Sequence, residues 1–283
     1  MKKYLSLVLF AHTIFAMPFA FIGFFLAVST TDAVFSWTKL LFMILCMVFA
    51  RNAAMAFNRY LDRNFDARNP RTAVRDIPSG KIPAKNALIF TLINCALFVF
   101  TTYFINTICF YLSPVALAVV LGYSFTKRFT PLCHLILGIG LGLAPLGAYL
   151  VVAGRFDILP VFFSLAVVCW VSGFDIIYAL QDDEFDKQAN LYSIPAWLGR
   201  RKALAVSSFL HVLSVVFVVL PLLFTTLGGF YITGVLFFIG LLIYQHRLVK
   251  PDDLSRVGLA FGTTNGIASV IFAVFFLLDV YFR

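Results

Sequence analysis

The chain has 283 residues, of which 61% are hydrophobic and 12% are charged, and its mean hydropathy is +0.95. Soluble domains are about 45–50% apolar and about 25% charged, so soluble cores cannot bury this much apolar surface. The composition excludes a soluble enzyme, a secreted disulfide scaffold and a disordered chain, and it predicts a polytopic membrane protein. In such a protein the net charge of +9 indicates basic cytoplasmic loops and not a nucleic-acid partner.

Nine segments of the chain are long and apolar enough to be transmembrane helices, which need about 20 mainly apolar residues. They lie at 6–29, 38–62, 86–104, 107–125, 132–153, 157–181, 203–226, 229–246 and 257–281. The first run begins with Lys2 and Lys3 like a signal peptide, but it continues without a cleavage site, so we interpret it as a helix. We therefore expect residues 1–283 to form one all-α integral-membrane domain, a bundle of nine helices in the lipid bilayer.

The distribution of basic residues predicts the orientation of this bundle. If the N-terminus is cytoplasmic, only three of the 22 Lys and Arg residues fall on the opposite side, namely Lys39, Arg155 and Arg283. Two more, Arg51 and Arg59, lie inside the second predicted helix, and all the others fall in cytoplasmic segments. Basic residues collect in cytoplasmic loops, so we expect an inner-membrane protein whose active site is at the cytoplasmic face.

The second predicted helix ends in a row of polar side chains. Asn58, Asp62 and Asp66 are spaced i, i+4 and i+8, so they share one face of a helix. Arg51, seven residues before Asn58, lies on the same face. Acidic groups near membrane depth are costly and usually face an interior cavity.

A second acidic row follows the sixth predicted helix. Asp175, Asp182 and Asp186 are offset by 0, 7 and 11 residues, which predicts a single stripe on a continuous helix. Mg²⁺ prefers hard oxygen ligands and often takes one or two carboxylates together with substrate phosphates. The two rows together predict two or three Mg²⁺ ions around a diphosphate. The basic residues available to contact the same anion are Arg51, Arg71, Arg75, Lys127 and Arg128.

The alternative to a binding site is that these acidic rows have a purely structural role. A carboxylate row at a helix end is often a solvated cap, and the acidic segment after residue 181 is able to pair with Arg200, Arg201 and Lys202. The occurrence of two rows, each with a polar partner inside the membrane, favours a binding site.

Four short motifs resemble those of the UbiA family of intramembrane prenyltransferases. NRYLDRNFD, starting at Asn58, matches the pattern NRxxDxxxD, and GFDIIYALQDDEFD, ending at Asp186, resembles the second acidic motif of that family. Tyr123 and Lys127 fit the YxxxK pattern of the loop after the fourth helix, and the IPSG turn ending at Gly80 resembles the PSG turn after the first motif. The motifs occur in order, and the resemblance covers nearly the whole chain.

The resemblance implies Mg²⁺-dependent transfer of a polyprenyl group from polyprenyl diphosphate to an aromatic acceptor. Asn58, Asp62 and Asp66 would bind one Mg²⁺, and Asp182 and Asp186 another. Arg51, Arg71, Lys127, Arg128 and Tyr123 would surround the diphosphate. Asp175 would orient the acceptor or take its proton, although a structural hydrogen bond from Tyr178 or from a neighbouring helix is an equal alternative.

The first helix departs from the pattern of the members that act on 4-hydroxybenzoate. Those often carry an Arg there, whereas residues 9–18 contain none, so His12 is a candidate acceptor contact and a structural histidine is its alternative. The implied acceptor is an aromatic carboxylic acid like 4-hydroxybenzoate, in quinone biosynthesis. The alternative acceptor is 1,4-dihydroxy-6-naphthoate or a related naphthoate, for menaquinone.

Two other membrane classes fit less well. A transporter would place polar residues at the midplane of inverted repeats, and the sequence shows no such repeat. A CDP-alcohol phosphotransferase requires a DG-x2-AR motif, and Asp66 is followed by Ala67 and Arg68 without it.

Overall fold

A computed structural model describes residues 15–282, and this part of the chain consists of helices and short connections without a β-strand. The helices are α1 Met17–Thr30, α2 Trp37–Asp66, α3 Ala84–Tyr103, α4 Thr107–Thr126, α5 Cys133–Ala153, α6 Ile158–Ala179, α7 Asp183–Gln188, α8 Ile194–Leu198, α9 Arg200–Val219, α10 Gly229–Leu248 and α11 Asn265–Phe282. Short 3₁₀ turns follow α6 and α9, and a π-helical turn, Leu259–Thr264, precedes α11.

Eight helical stretches within residues 15–282 are long and apolar enough to cross a membrane. In addition, α1 is an apolar helix of 14 residues that corresponds to the described part of the first predicted segment. These nine elements account for the nine predicted segments. The prediction of an all-α polytopic membrane protein is confirmed.

Two boundaries differ from the sequence-based ones in ways that affect the polar residues. Helix α2 continues without a break to Asp66, four residues beyond the predicted end, so its whole polar row is helical. Regular α-helix ends at Ala179 in α6, and a 3₁₀ turn, Leu180–Asp182, leads into the short α7. The prediction of one continuous stripe from Asp175 to Asp186 is therefore wrong, because a 3₁₀ turn advances by 120° per residue instead of 100°.

Small residues bring α5 and α6 into close contact. A Cβ atom on Gly138 would lie 2.4 Å from Ser172 Oγ, and one on Gly142 would lie 3.0 Å from the carbonyl oxygen of Ser164. The Ser164 hydroxyl donates a hydrogen bond of 2.7 Å to the Gly142 carbonyl. Small residues four apart and hydroxyl donors are the usual means of close helix packing in lipid. This contact fixes the position of α6 against α5.

The aromatic core lies on the opposite side of α6. Trp170 is fully buried, and its ring lies 5.4 Å from Phe19 of α1, 5.1 Å from Phe174 and 5.9 Å from Phe238 of α10. The indole Nε1 donates a hydrogen bond of 3.1 Å to Asn265 Oδ1, at the start of α11. The core thus holds α6 on one side, while Asp175, Tyr178 and Ala179 at its C-terminal end line the polar cavity described below.

Candidate active site

The polar row of α2 lies at one end of the bundle and pairs with basic residues of two loops. Asn58 Nδ2 donates to Asp62 Oδ2 at 3.0 Å, as expected for residues one turn apart. Asp62 Oδ1 accepts a hydrogen bond of 3.0 Å from Arg128 Nη2, and Asp66 Oδ1 accepts one of 2.6 Å from Arg75 Nη1. Asp66 Oδ2 is buried without a hydrogen-bond partner. This row therefore holds one oxygen that can serve as a ligand without loss of any hydrogen bond.

Asp182, from the second acidic row, is bound on two sides. Arg71 Nε donates to Oδ1 at 3.0 Å and Arg71 Nη2 donates to Oδ2, which makes a two-point ion pair. Asn69 Nδ2 donates a further bond of 3.0 Å to Oδ1. The third donor group of Arg71, Nη1, bonds the hydroxyl of Tyr178 at 2.7 Å. The loop after α2 is therefore fastened to the end of α6.

Asp186 lies deeper than the other carboxylates. Its side chain is fully buried, and Oδ1 forms an ion pair of 2.7 Å with Lys127 Nζ. Burial lowers the pKa of the Lys127 ammonium, but the charge and hydrogen bond of Asp186 outweigh burial and raise this pKa above its ordinary value. Burial likewise lowers the pKa of Arg71, but the hydrogen bonds and charges of Asp182 and Tyr178 outweigh burial and raise this pKa. Both cations therefore stay charged at neutral pH.

These side chains surround a polar cavity of about 220 Å³. Ten of the predicted site residues line it: Asn58, Asp62, Asp66, Arg71, Arg75, Tyr123, Lys127, Arg128, Asp175 and Asp182. Asp186 does not line the cavity and contacts it through Lys127. Positive and negative groups thus surround one concave space lined by α2, α4, α5, α6, α7 and the segments that connect them.

An apolar groove of about 350 Å³ adjoins the polar cavity. Tyr123 and Leu137 line both, so the two spaces meet at these side chains. Arg51 lines the groove and places its guanidinium group in an otherwise apolar wall. The groove runs between α2, α4 and α5. A ligand with an anionic head and a long apolar tail matches this division into a polar and an apolar space.

A histidine that sequence analysis did not single out stands at the inner wall of the polar cavity. His134, in the first turn of α5, is buried, and its Nδ1 lies 2.7 Å from Asp175 Oδ2. The partner of Asp175 is therefore on a neighbouring helix, which is one of the two structural contacts expected for it. Tyr178, the other expected partner, instead accepts from Arg71.

The family model of the UbiA prenyltransferase family matches residues 16–278. The chain belongs to the UbiA prenyltransferase family. It is therefore a membrane-embedded prenyltransferase, and the family assignment made from the four motifs is confirmed.

Two relatives of this UbiA-family chain share one name. The 4-hydroxybenzoate octaprenyltransferase of Photobacterium profundum is 32% identical over 234 residues, which cover 82% of this chain and 81% of that protein. The 4-hydroxybenzoate octaprenyltransferase of Aeromonas hydrophila is 30% identical over 241 residues, or 84% and 82% of the two chains.

Solved structures of other UbiA homologues share the fold. The apo structure of a UbiA homologue from Aeropyrum pernix K1 superposes with a TM-score of 0.85 at 31% identity, covering 95% of this chain and 98% of that one. A UbiA homologue from Archaeoglobus fulgidus bound to DMAPP and Mg²⁺ superposes with a TM-score of 0.77 at 21% identity, covering 99% and 100%. At that identity the second likeness concerns the fold alone.

The carboxylates of this UbiA-family chain suit a metal ion shared with a ligand better than a protein-only metal site. No three His, Cys, Asp or Glu side chains between residues 15 and 282 are grouped closely enough to hold a metal by themselves. Mg²⁺ does not need such a group, because it usually takes one or two carboxylates and completes its shell with waters and substrate phosphates. The buried, unpartnered Asp66 Oδ2 and the neighbouring Asp62 and Asn58 oxygens supply ligands of that type.

Sequence analysis and structure differ at a few residues of the family site. His12, the predicted acceptor contact, lies outside the described residues. Asn69, His134 and Tyr178 were missed as members of the polar cavity. The sequence could have indicated His134, because a histidine at the start of a predicted transmembrane helix needs a polar partner. Asn69 lies in a loop, where no periodic pattern points to it.

Proposed function

We propose that this chain transfers a polyprenyl group from polyprenyl diphosphate to an aromatic acceptor of the 4-hydroxybenzoate type, with Mg²⁺, in quinone biosynthesis. The observation that carries the proposal is the junction at Tyr123 and Leu137 between the polar cavity and the apolar groove. The cavity suits a diphosphate and the groove suits an isoprenoid tail. The names of the relatives at about 30% identity support the choice of acceptor.

In this proposal the acidic rows would hold Mg²⁺, with Asn58, Asp62 and Asp66 on one side and Asp182 and Asp186 on the other, and Asp186 would exchange its ion pair with Lys127 for the metal. When bound, Mg²⁺ neutralises the charge that develops on the leaving diphosphate. The chain itself supplies cations for the same oxygens: Arg71 and Arg128 through planar guanidinium groups, and Lys127 as a point charge. All three line the cavity: Arg71 and Arg128 pair with its carboxylates Asp182 and Asp62, and Lys127 pairs with the fully buried Asp186, so each stands within reach of an anion placed there.

Arg51 and Tyr123 stand where the head of the substrate would meet its tail. Arg51 would attract the phosphate next to the reacting carbon. This electrostatic attraction is stronger in an apolar wall than in water, because the low dielectric there screens charges weakly. Tyr123 presents an aromatic face and a hydroxyl group at the same junction. An aromatic face stabilises the partial positive charge on the allylic carbon when its bond to the diphosphate oxygen breaks.

The acceptor would occupy the inner part of the polar cavity, beside Asp175. Its ring carbon forms the new bond to the prenyl group and then loses a proton. Asp175 is 23% exposed and lines the cavity, so it is placed to accept a hydrogen bond or that proton from the acceptor. We place the cavity at the cytoplasmic face because the loops that border it carry most of the basic residues.

The test is product formation by the purified protein in detergent or liposomes. We would supply Mg²⁺ and a long-chain prenyl diphosphate, offer 4-hydroxybenzoate and 1,4-dihydroxy-6-naphthoate in parallel reactions, and identify the products by mass. We expect prenylated 4-hydroxybenzoate. Prenylation of the naphthoate alone would instead support the menaquinone alternative, and no product from either acceptor in a folded protein would contradict the proposed acceptor class.

A pair of variants tests the site in the same assay. Asp182→Asn removes a charge from the cavity, and we expect it to abolish turnover in a protein that remains folded. Glu184→Gln removes a charge two residues away, where the side chain is 80% exposed and only touches Arg200, so it should remain active. Equal activity of the two variants would contradict the role of Asp182.

A further inference from the structure

The hydrogen bond between His134 and Asp175 joins two helices at the wall of the polar cavity. His134 Nδ1 lies 2.7 Å from Asp175 Oδ2. His134 is only 4% exposed at its side chain, whereas Asp175 is 23% exposed and faces the cavity. His134 is therefore a buried structural residue, whereas Asp175 is accessible to a ligand in the cavity.

The other ring nitrogen of His134 fixes which atom carries the proton. Ile194 N–H lies 3.3 Å from His134 Nε2, and a backbone N–H can only donate. Nε2 is therefore the acceptor and has no hydrogen. The donor position that remains on the ring is Nδ1, and Nδ1–H donates to Asp175 Oδ2. Asp175 Oδ2 is consequently the acceptor of this hydrogen bond.

The segment that supplies this backbone N–H is itself fastened to the cavity. Tyr192 N–H donates a bond of 2.7 Å to the carbonyl of Lys127, and Cys133 Sγ lies 3.5 Å from the Tyr192 carbonyl. On the other side, Ser172 Oγ donates a bond of 3.1 Å to the backbone carbonyl of His134. His134 is thus held through its backbone by α6 and through its ring by Asp175 and the Ile194 N–H, one partner on each ring nitrogen.

We propose that His134 is the positioning residue for the acceptor: it keeps Asp175 an oriented hydrogen-bond acceptor on the cavity wall. The inference rests on the proposed transfer to an aromatic acceptor. The hydrogen bond occupies Oδ2 and fixes the plane of the carboxylate, so that its other oxygen presents a defined acceptor to a hydroxyl-bearing ring. His134 does not contact the prenyl groove, whereas the acceptor side of the cavity depends on it.

This role predicts a selective defect. Loss of a hydrogen bond to a charged group costs about 1.5–3 kcal/mol, which corresponds to a loss of about 10- to 100-fold in transfer. The defect should appear in the KM for the acceptor and in kcat for prenyl transfer. The KM for prenyl diphosphate should stay unchanged. Water can still take the prenyl group, so hydrolysis to the prenyl alcohol and inorganic diphosphate should persist.

The experiment compares three variants with the wild-type protein. His134→Leu removes the donor, and His134→Asn keeps an N–H donor close to the position of Nδ1. His211→Leu removes a second buried histidine, which lies in α9, bonds His246 and the Trp170 carbonyl, and lines neither space. Prenylated arene and prenyl alcohol are measured from the same reactions, with the melting temperature of each variant as the control for folding.

We expect His134→Leu to raise the ratio of prenyl alcohol to prenylated arene at least tenfold, with the KM for prenyl diphosphate within about twofold of wild type. His134→Asn should restore most of the transfer, and His211→Leu should lower stability without changing the ratio. An unchanged ratio in His134→Leu, equal changes in both KM values, or an Asn variant no better than Leu would overturn the role of His134. Wild-type protein that forms no prenylated arene would overturn the proposed function and this role together.

Discussion

Arg71 forms a bidentate ion pair with Asp182, although 111 residues separate them in the sequence. Nε donates to Oδ1 at 3.0 Å and Nη2 donates to Oδ2. The same guanidinium group bonds the hydroxyl of Tyr178 and lies over its ring, 5.0 Å from the centroid. One side chain of the loop after α2 therefore organises the end of α6. An ammonium group cannot reproduce this planar, three-partner arrangement.

Arg71→Lys should consequently impair the enzyme although it keeps the charge. We expect the KM for prenyl diphosphate to rise about tenfold, since at least one charge-assisted hydrogen bond is lost. Steady-state kinetics with varied prenyl diphosphate would measure this. Arg68→Lys is the matched control, because Arg68 is exposed, does not line the cavity and contacts no carboxylate: it bonds the Asn64 carbonyl and lies over the Phe65 ring. Identical kinetics in the two variants would show that the geometry of Arg71 is unimportant.

The first acidic row should determine the Mg²⁺ requirement. Chelation with EDTA is expected to abolish prenyl transfer, and added Mg²⁺ to restore it. Asp62→Asn should increase the Mg²⁺ concentration for half-maximal activity by about tenfold or more, because a neutral amide is a weaker ligand for a hard cation. A Mg²⁺ titration of wild type and variant measures the shift. Activity that survives EDTA, or an unshifted titration, would refute the assignment of this row.

The spacing of Asn58, Asp62 and Asp66 was enough to place these residues on one wall of the cavity. The reason is that a single uninterrupted helix carries all three, so a fixed angle per residue holds to the last turn. The same angle per residue does not apply beyond Ala179, where the backbone tightens into a 3₁₀ turn, and Asp186 is fully buried against Lys127 and does not line the cavity. Regular spacing predicts faces only as far as the regular helix extends.

Partners that are distant in sequence could not be predicted in this way. The pairs Arg71–Asp182 and His134–Asp175 depend on how loops and helices pack, and no local pattern encodes that packing. The charge distribution correctly indicated that basic groups lie near the acidic rows, because the loops after α2 and α4 bring their basic residues to the same cavity as the carboxylates. It did not indicate which cation meets which carboxylate.

The apolar groove offers a direct test of where the prenyl tail lies. Gly147 of α5 lines the groove, and a Cβ atom built on it meets nothing within 4 Å. Gly147→Leu should therefore fill part of the groove without a clash. We expect kcat/KM to fall at least tenfold for a long-chain prenyl diphosphate and little for geranyl diphosphate.

Gly240→Leu is the control for this substitution. Gly240 also has open space around it, but it is exposed on α10 and away from the groove. It should leave the chain-length preference unchanged. If Gly147→Leu lowers activity equally with short and long substrates, the tail does not pass this residue.

The orientation proposed from the basic loops is testable by labelling two exposed positions. Val34, between α1 and α2, is 86% exposed, and Val74, between α2 and α3, is 72% exposed. In a variant whose five native cysteines are replaced, Val34→Cys should react with a membrane-impermeant maleimide on intact spheroplasts. Val74→Cys should react only after the membrane is permeabilised. The reverse pattern would place the polar cavity on the outer face.

Asp279 has a structural role at the other end of the chain and should affect stability but not catalysis. Its buried carboxylate accepts hydrogen bonds from Gly228 N–H at 3.1 and 2.8 Å and from Tyr231 N–H at 3.1 Å, and so caps the start of α10. Asp279→Ala leaves these donors unpaired in a buried site, which should cost about 1–3 kcal/mol. Asp279→Asn keeps one acceptor oxygen and should cost less.

Thermal unfolding in detergent would rank the three proteins in the order wild type, Asp279→Asn, Asp279→Ala. Because Asp279 lines neither the polar cavity nor the groove, kcat per folded molecule should be the same in all three below the melting temperature. A fall in kcat without a fall in melting temperature would mean that the cap of α10 influences the site through α6, against which the aromatic rings of α10 and α11 pack.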